Sequence, residues 1–97
     1  MEKLTHADFE PYLNQKFAVS DGASAIEAEL ASVTPAKWSP ENGRTPFSLI
    51  FRAAYPPILI QRMYQVSHDG LGSYAIFLVP IGPDRVKGGM QYEAVFG

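Results

Sequence analysis

The sequence predicts a mainly β protein of α+β type, in which a short N-terminal helix precedes a roughly six-stranded antiparallel sheet closed into a small barrel or folded into a sandwich. Three observations lead there. From Ser73 to Ile81 the chain reads SYAIFLVPI, apolar at seven consecutive positions from Ala75, and PFSLIFR from Pro46 to Arg52 is nearly as apolar. Eight Pro and eight Gly in 97 residues demand many turns, which suits strands better than helices. No stretch has the length of a crossover helix, so a parallel βαβ sheet is excluded and the strands must run antiparallel.

The helix begins at Thr5, which with Asp8 makes a variant of the capping box, while Leu4 and Phe9 stand at the two positions of a hydrophobic staple. Pro11 has no amide proton, so about two turns are expected, with Leu4, Phe9, Tyr12 and Leu13 covering one opening of the β core. A short strand follows over 16–20, with Phe17 and Val19 on one face, and Asp21-Gly22 supplies a hairpin turn. Residues 24–33, SAIEAELASV, fit a helical stripe and a strand alternation equally well. Strand is preferred, because a helix here would leave the Phe17 strand without a neighbour in sequence.

Thr34 to Thr45 carries two Pro and an Asn-Gly and reads as an exposed loop around Trp38. Phe47, Leu49 and Phe51 then alternate with Ser48, Ile50 and Arg52 as a strand, which Tyr55-Pro56-Pro57 ends. RMYQVSH from Arg62 is the next strand, and Asp69 to Gly72 links it to SYAIFLVPI as a hairpin. A loop from Gly82 to Gly89 leads into the last strand, MQYEAVF from Met90. The apolarity of 73–81 implies cover on both of its faces, supplied by the helix or by another subunit.

Composition bounds the function. One domain, 1–97, accounts for the length. Cys is absent, which removes disulfides and thiolate metal sites. A formal charge of −2, with eight Lys and Arg scattered along the chain, provides no basic field for nucleic acid. The first residues include Glu2, Asp8 and Glu10 and lack the apolar run of a leader peptide, and no run approaches a membrane span. The expectation is a soluble protein, cytoplasmic by default, with neither membrane nor nucleic acid as a partner.

Chemical motifs are weak. His6 and His68 are the only imidazoles, and Ser67-His68-Asp69 is no triad, since successive strand residues point to opposite faces. Glu27 and Glu29 share a solvated face if their segment is a strand. Arg52, Arg62 and Glu93 suit cross-strand pairing that fixes register. The glycines lack the spacing of a phosphate loop. No metal site, cofactor or catalytic residue is expected.

The order LTHADFEPYL, PFSLIFR, a Pro-rich link, the Tyr64 strand, the Leu71-Gly72 turn, FLVPIG and a terminal YEAVF resembles a family of small uncharacterised bacterial proteins over nearly the whole chain. Its signature positions are mostly core and turn residues, among them Phe9, Phe47, Phe51, Gly72, Leu78, Tyr92 and Phe96. The resemblance implies a shared fold, no agreed activity, and a setting beside phage-tail collar or fibre components. The chain departs from the family pattern at Arg62-Met63, where a Gln-Gly-Thr-like turn is more usual.

The leading expectation is a non-enzymatic interaction or assembly module, accessory to a phage-tail-like or surface structure, that binds a protein partner or itself. Its contact elements would be the Trp38 loop and the rim of Tyr55, Pro56, Pro57 and Ile58. The alternative is a small-ligand-binding β barrel, with Tyr64, His68, Tyr74 and Tyr92 around its mouth.

Overall fold

The chain opens with a helix over 6–12, α-helical at His6–Phe9 (α1) and tightening to a 3-10 turn at Glu10–Tyr12, in a computed structural model that describes residues 4–37, 45–55 and 58–96. The Thr5 N–H and hydroxyl both donate to the Asp8 carboxylate, at 2.8 and 3.2 Å. Pro11 falls in the tightened turn, where its missing N–H removes one intrahelical bond. Asn14, at φ 70°, then turns the chain out of the helix, a left-handed conformation that a short polar side chain tolerates.

Six strands follow: β1 (Lys16–Ser20), β2 (Ala25–Pro35), β3 (Phe47–Ala53), β4 (Arg62–His68), β5 (Gly72–Pro83) and β6 (Met90–Phe96). The ambiguous 24–33 segment is strand, and β2 extends through Thr34 and Pro35, two residues of the expected loop, which pair with Ser48 and Phe47. Between sandwich and barrel, the chain forms a closed barrel of order β1-β2-β3-β6-β5-β4. It is made of two antiparallel meanders, β1-β2-β3 and β4-β5-β6, joined edge to edge through β3 with β6 and β1 with β4. Closure leaves neither meander an open edge.

Alternate residues of each strand fill the interior. Phe17, Val19, Leu30, Leu49, Phe51, Val66, Ile76 and Leu78 are buried there with Tyr64 and Tyr92. At one end, next to the first residues of β3 and the last of β6, Phe9 of α1 lies 6.0 and 5.9 Å from the rings of Phe47 and Phe96, which stack on each other at 4.5 Å. The helix therefore plugs an opening, as expected. β3 and β4 stand on opposite sides of the ring, so the link between them passes over the other opening. Leu59 of that link packs against the core there.

Of the two covers expected for the outer face of 73–81, the helix does not supply one. Ile76 and Leu78 point inward and are buried, but Ala75, Phe77 and Ile81 are exposed on the outer wall. The reason is that a single-layered barrel has one inside, and the only helix among the described residues is spent on its end. Pro80 is accommodated because β4 pairs β5 only as far as Leu78, so the missing N–H interrupts no pairing with β4. A bulge around Ile81, with Gly82 at φ 121°, then turns β5 along β6.

Candidate interaction surface

The four residues expected around a ligand mouth stand in two pairs at opposite ends of the barrel. Tyr64 and Tyr92, 4% and 1% exposed, hold the link that crosses the opening: the Leu59 N–H donates to the Tyr92 hydroxyl oxygen at 2.9 Å, and the Tyr64 hydroxyl donates to the Ile60 carbonyl at 2.7 Å. Burial pushes the Tyr64 phenol above its ordinary 10.0, against the opposing charge of Arg62, whose guanidinium carbon lies 5.7 Å from the ring centroid.

His68 and Tyr74 sit at the helix end. The His68 Nδ1 accepts the Gly70 N–H at 2.9 Å, which leaves Nε2 as the protonated nitrogen, 2.7 Å from the Gln15 Oε1. Its ring lies 4.5 Å from Tyr12 and 5.0 Å from Phe17, and the Tyr74 hydroxyl donates to the Leu71 carbonyl at 3.3 Å. All four side chains thus use their polar atoms to fasten turns and links. Among the described residues no three of His, Asp and Glu converge as a metal would require.

Of the five residues expected on a contact surface, Tyr55 and Ile58 are exposed on the link between β3 and β4. Trp38, Pro56 and Pro57 lie outside the described residues.

The expected pairing of Arg52 and Arg62 with Glu93 is also corrected. Arg52 forms its ion pair with Glu29, across β2 and β3, and donates to the Gly88 carbonyl at 3.4 Å. Lys16, Glu29, Arg52 and Gln91 are successive cross-strand partners on β1, β2, β3 and β6. The first three of these, a row of alternating charge, line a polar groove of about 450 Å³ with Glu27 and Lys87. Arg62 is turned over Tyr64 instead. Glu93 is left facing outward and half-buried, and no hydrogen bond or ion pair reaches its carboxylate among the described residues.

The direct cross-strand neighbours of Glu93 are apolar, while Gln91 and Arg52 stand one step along the same face on one side and Ser48 on the other. Ile50 of β3 and Val79 of β5 are its cross-strand partners, and Val95 is the next residue on the same face of β6. Val95 is 73% exposed, and the cross-strand pair Met63 and Phe77, on β4 and β5, is 52% and 45% exposed. Continuing the β5–β6 register by two residues sets Phe77 beside Val95, so Met63, Phe77 and Val95 form one row around the outside of the barrel. Beyond Val95 the wall dips into a shallow groove of about 310 Å³ between Pro35, Ala36, Pro46 and Ser48, with Glu93 on its margin. Sequence reasoning named none of these wall residues as a site. The signal was present in the continuous apolarity of 75–81, which exceeds what one inward face requires.

No helix of the described residues is long and apolar enough to cross a membrane. Neither the curated proteins nor the solved structures contain a match to the chain. One family model matches residues 4–96, from the residue before the Thr5 cap to the last residue of β6, and on that span the chain belongs to the domain of unknown function DUF6916.

Proposed function

We propose that this barrel is a non-enzymatic interaction and assembly module, and that it serves as an accessory to a phage-tail-like or surface structure. The observation that carries the proposal is the row of Met63, Phe77 and Val95 on the outer wall of β4, β5 and β6. Apolar side chains so exposed add little to the barrel's own packing and lose water contact only when something covers them. Tyr55 and Ile58, also exposed, extend the available surface at the end of the barrel away from the helix. The small-ligand alternative finds no comparable support, because the tyrosines that would line its mouth have their hydroxyls engaged and the interior is filled by core side chains.

The test is site-specific photo-cross-linking in the native cell, with p-benzoylphenylalanine placed at Phe77 or, as a control, at Ala18 on the outer face of β1. Discrete adducts from position 77 and none from position 18 are expected. An absence of adducts at 77, or the same adducts at both positions, would contradict the proposal.

A further inference from the structure

Glu93 is the carboxylate at the centre of the outer wall of β3, β5 and β6, with Ser48, Arg52 and Gln91 as that wall's other polar residues on β3 and β6. Glu93 stands between Ile50 and Val79, beside Val95, and the two guanidinium groups expected to pair with it, those of Arg52 and Arg62, are turned to Glu29 and to the Tyr64 ring. In the free protein water solvates the outer side of the carboxylate. A wholly apolar partner laid over the wall would strip that water and leave a buried charge with no counter-ion among the described residues, at a cost that defeats the gain from apolar contact. An acidic partner would be repelled.

We propose that this wall docks a protein segment presenting one lysine or arginine among apolar side chains, with the cation meeting the Glu93 carboxylate. This rests on the interaction reading above and names the chemistry of the partner. Two features of the molecule narrow the occupant. The barrel is closed, so the partner cannot add a strand to an edge and has to recognise the wall through side chains. A second copy of the chain set against the wall on a twofold axis through Glu93 would bring two carboxylates together, so charge complementarity favours a different, cationic segment.

The probe is a terminally blocked peptide, Ala-Leu-Val-Arg-Val-Leu-Ala, compared with a twin carrying Glu in place of Arg. Each is titrated into nitrogen-15-labelled full chain while amide shifts are followed. The expected result is that shifts centre on Ile50, Val79 and Val95, and that the Arg peptide binds at least about fivefold tighter than its twin. Glu93→Gln should erase that preference and Glu93→Arg invert it, both with the melting temperature of the parent. Equal affinity of the two peptides at this wall would overturn the charge assignment and leave the interaction reading standing. Shifts confined to another surface, or none, would overturn both. A fall in melting temperature on Glu93→Gln would mark an intramolecular role for Glu93 and overturn the proposal, as would sedimentation showing that the parent chain pairs with itself through this wall.

Discussion

Single residues in the hairpin turns carry much of the local definition. Asp21 accepts the Ala23 and Ser24 N–H groups at 2.9 Å each, and Asp84 does the same for Val86 and Lys87. These backbone donors, chiefly Ser24 for Asp21 and Lys87 for Asp84, hold both carboxyls below their ordinary 3.8. Because the folded values are depressed, the contribution is complete above the unfolded value and is lost as pH falls through the folded ones. Thermal melts from neutral pH downward should show stability declining below about pH 4, and Asp84→Asn should flatten part of that decline. Gly89 is a second fixed point: at φ 83°, a Cβ there would lie 2.6 Å from the Ala53 carbonyl oxygen. Urea unfolding should show Gly89→Ala costing about 2 kcal/mol or more. Gly22→Ala should cost about 1 kcal/mol, since no atom stands within 4 Å of its Cβ position. The Asp21-Gly22 turn was legible because a hairpin needs those residue types. The demand on Gly89 was not, because the carbonyl it faces belongs to β3.

Elements were read well wherever alternation was strong, and less well where pairing depends on register. Without an irregularity in β2, the pairing of Val33 with Leu49 and Ser32 with Ile50 would continue to set Leu30 opposite Arg52. The bulge at Ala31 shifts it by one, so Leu30 meets Phe51 inside and Glu29 meets Arg52 outside. That extra residue decides which acid pairs with Arg52 and which is left on the wall, and nothing in SAIEAELASV marks it. The pair is largely shielded, with side chains 22% and 18% exposed, and the Arg52 Nε has no partner among the described residues. A double-mutant cycle of Arg52→Met and Glu29→Gln should return a coupling of about 1–2 kcal/mol. A value near zero would mean that the row of alternating charge does not help fix the β2–β3 register.

For the molecule as a whole, the number of strands, their order in sequence and the plug role of the helix were all readable, because each follows from residues close in the chain. Barrel closure depends on contacts between distant strands and was left open between two architectures. The apolar run 75–81 marks a strand whose two faces both call for cover: Leu78 finds it in the core, while Phe77 faces outward beside Met63 with none from the helix. If the apolar outer wall serves contact, as proposed, it must be surplus to folding. Urea unfolding of two variants one residue apart tests this most directly. Leu78→Ala should cost about 3 kcal/mol and Phe77→Thr less than about 1 kcal/mol, and equal losses at the two positions would place Phe77 in the core and contradict the account.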